Sequence, residues 1–327
     1  MFHLLTSCLV LLIIVFIDLG VAAEEDGLRI PPLSHSEDST NGKSSVCLTN
    51  NTLPSMDSGG LIFFLHIPKT GGTTIRRNLE KIEGINYVFA KDYPTYSETA
   101  ELVEDMVVNG SVNQSVLFYE IHAKTAPSFF KLRRRLKRWR QTALHNGVPV
   151  FFFSLVREPI SYSFSHFNFF HLQKRNTSFE RCNATEEDFL RKSVYNPQCQ
   201  FLFKGESSMR GQRRDATDSN LQELMVQKED CQSVTEQLFA LMDWVGTTES
   251  LSAETIPLLS KLLDKPDLQW EKHRVSKNEK GYISFGRENV SSSAIETISD
   301  MSRLDAMLHI EVESRSEYRE IIERLAL

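Results

Sequence analysis

The stretch HIPKTGGTT, from His66 to Thr74, places a lysine, two glycines and three threonines between an apolar run and a helical pattern. LIFF precedes the stretch and IRRNLEKIEG follows it, which indicates a turn from a strand into a helix. The first N–H groups of a helix lack partners within it, and a nearby lysine makes them a binding site for anions. The residues predicted to hold a phosphate or sulfate group are Lys69, Thr70, Gly71, Gly72, Thr73 and Thr74.

Two other interpretations of this turn remain open. A Gly-Gly pair between a strand and a helix is often only a turn, because glycine adopts backbone angles that other residues avoid. A nucleotide-binding P-loop is the second, and its pattern G-x-x-x-x-G-K-[ST] has the lysine after the glycines. Lys69 comes before Gly71 and Gly72, so the ordinary Walker motif is absent.

The segment SLVREPISYSFSHFNFF supplies a second set of side chains that bind anions. Arg157 ends an apolar run, Pro159 suits the first turn of a helix, and Ser165 lies eight residues after Arg157. An arginine binds a phosphate through a fork of hydrogen bonds, and a serine hydroxyl adds one more. A surface arginine followed by a serine on a helix surface is the alternative interpretation.

A third feature is the segment KLRRRLKRWR, residues 131–140, in which seven residues are basic. Leu132, Leu136 and Trp139 recur at helical spacing, which predicts a helix that docks through an apolar stripe. The like charges on its other faces repel one another and favour a polyanionic partner, although a solvated helix face is the plainer interpretation. The arginines assigned to a polyanionic acceptor are Arg133, Arg134, Arg135 and Arg138.

Length, composition and the order of the apolar runs indicate the fold class. The chain has 327 residues, of which 41% are hydrophobic, so it can bury a sizeable core. Its net charge of −6 argues against a general nucleic-acid binder. The apolar runs LIFFLH, VLFYEIH, VPVFFFSLV and DWVGTT alternate with helical patterns such as 127–145 and 250–263. This alternation predicts an α/β fold, a P-loop-like three-layer domain with a central, mainly parallel sheet.

Polar residues follow each of the four apolar runs. Lys69 to Thr74 follow the first, His122 the second, Arg157 to Ser165 the third and Glu249 the fourth. Ligands bind outside the carboxyl ends of the strands in such sheets, so we expect these residues to line one site.

The N-terminus predicts entry into the secretory pathway. Residues 1–23 combine an apolar run with the small residues of a cleavage site, as in a signal peptide or signal anchor. Residues 24–59 have the composition of a lumenal stem, and the folded domain is expected at 60–327. The N-x-[ST] sequons at Asn50, Asn109, Asn113, Asn176, Asn183 and Asn289 agree with this location.

The cysteines outside the targeting segment are Cys47, Cys182, Cys199 and Cys231. An even number in an oxidising compartment predicts disulfides, with three connectivities open. Cys182 with Cys199 is the preferred short bridge. The sequence has no C-x-x-C pair and no His/Cys cluster with zinc spacing, so no metal site is predicted.

Taken together, the motifs resemble those of the sulfotransferases that use 3′-phosphoadenosine 5′-phosphosulfate (PAPS). PKTGGTT looks like the 5′-phosphosulfate loop of that family, and VREPISYSFSHF looks like its 3′-phosphate motif. VGTTESL, HRVSKN and RLDAMLHIE also fit, and the resemblance covers roughly residues 60–320. It is closest to the Golgi carbohydrate sulfotransferases of the heparan sulfate 2-O, 6-O and uronyl type.

The resemblance implies a role for each motif residue. Lys69 and the backbone of 70–74 would hold the 5′-phosphosulfate, while Arg157 and Ser165 would hold the 3′-phosphate. FYEIHAKT lies where the 2-O enzymes have Phe-Tyr-His-x-His, so His122 falls on the catalytic base of the family and Glu120 replaces its first histidine. Histidine suits the acceptance of a hydroxyl proton near neutral pH. Glu120 is a second candidate, which orients His122 or acts as the base itself.

The sequence thus predicts a sulfotransferase that moves the sulfuryl group of PAPS to a hydroxyl of a glycan or proteoglycan, with His122 as base and Lys69 as charge stabiliser. The glycan is expected to resemble a glycosaminoglycan, and no metal or nucleic acid is implied. The enzyme is expected in the Golgi lumen, either soluble or as a type II membrane protein. A P-loop kinase and a non-catalytic polysaccharide-binding protein on the same fold are the alternatives.

Overall fold

The computed structural model describes residues 53–90, 93–109, 115–122, 127–172, 184–205, 225–266, 270–271 and 285–315. The predicted targeting segment 1–23 lies outside these residues, as do Cys47, Cys182 and the sequons at Asn50, Asn113, Asn176 and Asn183. Met56 is buried and Leu53 packs against the core, so packing begins several residues before Gly60.

The described residues form a sheet of five parallel strands. The strands are β1 (Gly60–Leu65), β2 (Ile85–Ala90), β3 (Val116–Ile121), β4 (Val150–Val156) and β5 (Trp244–Thr247). All four runs predicted as strands are present, and the parallel sheet of the predicted fold is confirmed. The sequence analysis missed β2, because INYVFA is an edge strand whose side chains are mostly half-buried or exposed and form no continuous apolar run.

Helices occupy most of the remaining described chain. They are α1 (Gly72–Leu79), α2 (Tyr93–Asn109), α3 (Phe129–His145), α4 (Pro159–Phe167), α5 (Glu186–Lys192), α6 (Pro197–Lys204), α7 (Lys228–Leu241), α8 (Ile256–Leu262), α9 (Ser292–Met301) and α10 (Arg303–Ser314). Asn168–Leu172 and Leu251–Thr255 are π-helical turns, and Arg287–Asn289 is a 3₁₀ turn.

Helices cover both faces of the sheet, which gives the predicted three layers. On one face, the rings of Phe63 and Tyr119 lie 6.3 Å and 6.0 Å from that of Trp139 in α3. On the other face, Arg76 of α1 lies 3.9 Å from Glu120 of β3. Side chains alternate between the faces of a strand, so the neighbours Tyr119 and Glu120 meet different layers.

The strand order, β2-β3-β1-β4-β5, sets the place of the site. The chain first runs from β1 to β2 and β3 on one side, and then crosses to β4 and β5 on the other. The loops that follow the neighbouring strands β1 and β4 therefore diverge at the carboxyl ends of the strands, and open parallel sheets bind ligands in the crevice between such loops. Lys69 follows β1 and Arg157 follows β4, so the topology brings the two predicted anion-binding motifs to one crevice.

Helix α3 docks through the predicted stripe, since Leu132, Leu136 and Trp139 are buried. Its last basic residue, Arg140, is part of the fold. Two guanidinium nitrogens of Arg140 donate to the Asp243 carboxylate at 2.8 Å and 2.7 Å. Asp243 in turn accepts the N–H of Phe152 near the start of β4. The second half of α3 is therefore joined to the amino ends of the strands, and the crevice lies at their carboxyl ends.

Cys199 and Cys231 form a disulfide that joins α6 to α7, so the preferred pairing of Cys199 with Cys182 is wrong. Their Cα atoms lie 5.5 Å apart although 32 positions separate them. Proximity in sequence favoured Cys182, whereas the packing of α7 against α6 decides the pairing. Within the described residues, no helix is both long and apolar enough to cross a membrane.

We expect this disulfide to stabilise the domain through the entropy of the unfolded chain. A bridge across 32 positions is worth about 3–4 kcal/mol in that model. The variant Cys199→Ala/Cys231→Ala should lose about that much free energy of unfolding in a denaturant titration. Non-reducing peptide mapping of the wild type provides the control, and a peptide that joins Cys199 to Cys182 would contradict the structure.

Candidate active site

The turn after β1 has the backbone of an anion-binding loop. Lys69 has a φ of 71° and Gly71 a φ of 94°, and a lysine in this left-handed region is uncommon. Gly71 caps α1 without a side-chain hydrogen bond. Within the described residues, the N–H groups of Gly72 and Thr73 have no acceptor, as is usual for the first turn of a helix.

The threonines of the loop contribute in different ways. The Thr70 hydroxyl donates to the carbonyl oxygen of Ile67 at 2.8 Å, so its proton is used to close the turn. The N–H of Thr74 donates to the carbonyl oxygen of Gly71 at 2.9 Å. Thr73 is half-buried and lies in the first turn of α1, where a hydroxyl and an N–H are available together.

Gly72 is required because a histidine ring packs directly against it. A Cβ at this position would lie 2.3–2.5 Å from ring atoms of His66. The His66 ring stacks on Phe64, and its Nδ1 lies 2.5 Å from Oε1 of Glu120. The loop, the end of β1 and strand β3 are therefore joined through one buried histidine.

The Lys69 ammonium group is largely buried and faces an aromatic ring. Its Nζ is 3.9 Å from the centroid of the Phe169 ring, which belongs to the π-helical turn after α4. Burial and, to a smaller extent, the charge of Arg157 lower the pKa of Lys69 to about 8. Turns of this kind inside helices are frequent at functional sites, and here the turn places an aromatic ring over the loop lysine.

Arg157 reaches the same loop from the end of β4. Its Nη1 donates to the carbonyl oxygen of Lys69 at 3.1 Å, and its Nε is buried with no acceptor among the described residues. Burial lowers the pKa of Arg157, although the nearby charges of Glu249 and Glu158 oppose that effect. Neither Lys69 nor Arg157 forms an ion pair within the described part of the chain, so two neighbouring cations lack a direct counter-ion.

The backbone of Arg157 is fixed by Gln198 of α6. The N–H of Arg157 donates to Oε1 of Gln198, and Nε2 of Gln198 donates to the carbonyl oxygen of Arg157, both at 2.8 Å. Gln198 is fully buried. Sequence analysis missed this residue, because nothing in NPQCQFL marks one buried glutamine as the partner of an arginine 41 positions away.

Helix α4 begins immediately after Arg157. Glu158 caps it by accepting the N–H groups of Ile160 and Ser161 at 3.0 Å and 2.7 Å. Glu249, which follows β5, accepts the N–H of Glu158 at 3.3 Å and so lies at the same edge. Ser165 is half-buried nearly two turns into α4, and its assignment to a phosphate stays a prediction.

His122 lies where the sequence placed it, at the carboxyl end of β3. It is half-buried, and its N–H donates to the carbonyl oxygen of Ala90 at 3.0 Å. Its ring centroid is 4.6 Å from that of His66 and 5.9 Å from that of Phe89. His66 packs on Gly72, so His122 is close to the start of α1, although its catalytic role stays a prediction.

Glu120 is fully buried beneath His122. Its Oε1 contacts His66, and its Oε2 accepts a hydrogen bond from the Tyr87 hydroxyl. Burial and the Glu120 charge raise the pKa of Tyr87. A fully buried carboxylate does not reach an acceptor hydroxyl, so these contacts favour an orienting role, directed at His66 and Tyr87. Sequence analysis missed Tyr87 because it missed β2.

The arginines assigned to the acceptor differ in their surroundings. Arg135 contacts α2, since its Nη1 donates to the Tyr96 hydroxyl at 2.6 Å and its Nε lies 3.1 Å from Glu104. The guanidinium of Arg133 folds back over Phe130, at 3.6 Å from the ring centroid. The basic residues of α3 that are exposed are Lys131, Arg134, Lys137 and Arg138.

Comparison with known proteins adds little to this geometry. No protein-family model matches the chain, and no curated protein matches it at a significant level. Among the solved structures that match is the crystal structure of a sulfotransferase from Alicyclobacillus acidocaldarius, with a TM-score of 0.36 and 10% sequence identity. The match covers 79% of this chain and 98% of that one. An overlap this weak assigns neither a family nor an activity.

The lowered pKa of Lys69 gives a pH dependence to anion binding. A bound anion favours the charged ammonium, so affinity should fall as the pH rises above about 8, approaching tenfold per pH unit. Calorimetric titration with adenosine 3′,5′-bisphosphate from pH 7 to 9.5 measures this, because the charge of its phosphates, with a second pKa of about 6, changes little over that range. Lys69→Arg should remove the dependence and Lys81→Arg, at an exposed position, should keep it. A flat wild-type profile would exclude Lys69 from the anion site.

Proposed function

We propose that this protein is a PAPS-dependent sulfotransferase that transfers a sulfuryl group to a hydroxyl of a glycan. The observation that carries the proposal is the pair of largely buried cations, Lys69 and Arg157, beside the open N–H groups at the start of α1. Buried charges are costly without a partner, so the arrangement is matched to a ligand with several negative groups. The likeness of both motifs to those of PAPS-dependent enzymes supports the same ligand.

The chemistry of these residues fits the two ends of PAPS. Lys69 and the N–H groups of Gly72 and Thr73 would hold the 5′-phosphosulfate, because ammonium and helix N–H groups favour anionic oxygens. Arg157, with a buried Nε that has no acceptor among the described residues, would hold the 3′-phosphate together with Ser165. When bound, PAPS supplies the sulfuryl group.

The protein's part in the transfer follows from the positions of His122 and Lys69. His122 would accept the proton of the attacking hydroxyl as a bond forms between its oxygen and the sulfur. Lys69 would stabilise the negative charge that the bridging phosphate oxygen would gain as its bond to sulfur is lost, with adenosine 3′,5′-bisphosphate as the leaving group. Positioning and charge stabilisation are the means that related phosphoryl transfers use.

The surface of α3 supports an anionic acceptor, such as a glycosaminoglycan-like polysaccharide or a proteoglycan. Helix α3 begins seven residues after His122, so its first turns lie at the same edge of the sheet as the proposed base. Lys131 and Arg134 are exposed on those turns. Arg138 lies about 10 Å further along the axis than Lys131, at 1.5 Å per residue, so the exposed cations extend away from the site.

The N-terminal segment and the sequons support a location in the Golgi lumen, as a soluble or type II membrane-anchored protein. Asn109 and Asn289, the two sequon asparagines within the described residues, are both exposed. Exposure is what glycosylation requires, so the surface of the domain is compatible with a lumenal location.

Transfer of radioactive sulfate from labelled PAPS to a panel of desulfated polysaccharides tests the proposed reaction. His122→Ala should lower kcat by about 10²–10⁴-fold while leaving the affinity for adenosine 3′,5′-bisphosphate unchanged. His145→Ala, at an exposed position at the end of α3, is the matched control and should keep full activity. Binding of nucleotide and polysaccharide without any transfer would indicate a non-catalytic protein instead.

The exposed cations of α3 should act on the acceptor alone. Arg134→Ala/Arg138→Ala should raise the KM for the polysaccharide, and the KM of the wild type should rise with salt, because the Debye length is only about 8 Å at physiological ionic strength. Donor affinity should not change. Arg135→Ala should instead lower thermal stability, since Arg135 contacts Tyr96 and Glu104. An unchanged acceptor KM in the double variant would leave these cations as a solvated face.

A further inference from the structure

One buried side chain satisfies both backbone groups of Arg157. Gln198 accepts the N–H and donates to the carbonyl oxygen, each at 2.8 Å, in the way that a neighbouring strand would. Arg157 is the residue at which β4 has ended and α4 has not begun, so the sheet no longer holds its backbone. Gln198 thus extends the hydrogen bonding of β4 by one residue, to Arg157, whose side chain carries the guanidinium.

Gln198 is itself held rigidly at the start of α6. The fully buried Asp305 of α10 accepts the N–H groups of Gln198 and Cys199, both at 2.9 Å. The next residue, Cys199, is bonded covalently to Cys231 of α7. Three helices thus determine where the Gln198 amide lies, and none of them is part of the loops that carry the proposed ligand contacts.

The guanidinium of Arg157 depends on this backbone for its direction. It is largely buried, it contacts the carbonyl oxygen of Lys69 at 3.1 Å, and its Nε has no acceptor among the described residues. A rotation of the Arg157 backbone would move the guanidinium away from the Lys69 loop, because the side chain is long and its base sets its direction. Holding the backbone therefore holds the cation in the crevice.

We infer that Gln198 is a positioning residue for the 3′-phosphate site, which it serves by fixing the backbone from which Arg157 reaches the crevice. The inference rests on the proposed function, since it takes Arg157 as the ligand of that phosphate. A primary amide is the side-chain group that donates and accepts at once in a plane, so glutamine meets a requirement that glutamate, methionine and leucine do not. A buried backbone group left without its partner is costly, so its loss should reorganise the turn.

The test compares two nucleotides that differ only in the 3′-phosphate. Adenosine 3′,5′-bisphosphate and adenosine 5′-monophosphate are titrated calorimetrically. The Kd of the monophosphate divided by the Kd of the bisphosphate measures what the 3′-phosphate contributes to binding. Gln198→Met should reduce this ratio by about tenfold, the size of one charge-assisted hydrogen bond. Gln200→Met, a buried glutamine of the same helix, is the matched control and should keep the ratio.

Each variant is measured well below its own Tm, so that it is fully folded and a loss of stability does not change the measured ratio of Kd values. Gln198→Glu, which keeps the size and the acceptor but loses the donor, serves as a second variant and should also reduce it. In the Arg157→Ala background, Gln198→Met should have no further effect on the ratio, because it acts through Arg157.

The outcomes separate the inference from the function it rests on. A wild type that binds both nucleotides equally would overturn the 3′-phosphate site and the inference together. A wild type that discriminates, with Gln198→Met either keeping the ratio or weakening both nucleotides equally, would overturn the inference alone. A reduced ratio in Gln198→Met, with no further reduction when Gln198→Met is added to Arg157→Ala, establishes the positioning role.

Discussion

The site is built around two neighbouring cations, Lys69 and Arg157, and neither forms an ion pair with a carboxylate of the described residues. Burial lowers the pKa of both groups, and the charge of Arg157 lowers that of Lys69 further. The surrounding structure compensates only in part. The Phe169 ring faces the ammonium group, and the carbonyl oxygen of Lys69 accepts from the guanidinium. An anionic ligand would offset the repulsion between the two groups and stabilise the charged forms of Lys69 and Arg157. The relief of this repulsion would add to the affinity for the ligand.

Buried residues behind the two cations hold this arrangement in place. The left-handed backbone at Lys69 and Gly71 is supported by His66, whose ring fills the space beside Gly72 and contacts Glu120. The Arg157 side of the crevice depends on α6 and α10. Strained or charged groups persist only where neighbouring structure determines them from several directions, and both halves of this site meet that condition.

Glu120 of β3 supports the site, whereas the chemistry is proposed for His122, which follows that strand. Its two oxygens contact His66 and Tyr87, and it is closed to solvent, so it acts on the site through its neighbours. His122 is half-buried at the end of the same strand and is therefore less enclosed than Glu120. The division fits a base at the crevice and an anchor beneath it. Within the described part of the chain, the exposed cations of α3 make no contact like those that join Arg135 to α2 and Arg140 to Asp243.

The sequence alone determined the architecture and most of the crevice. Continuous apolar runs mark β1, β3, β4 and β5, and parallel strands must present Lys69, His122 and Arg157 at one edge. What it left open depended on contacts between distant positions. The edge strand β2 lacks an apolar run, so Tyr87 stayed hidden. The disulfide of Cys199 follows the packing of α7 rather than the nearness of Cys182. Gln198 and Asp305 are ordinary buried polar residues until the fold brings Gln198 to Arg157 and Asp305 to Gln198, because a hydrogen bond between remote residues leaves no local pattern in the chain.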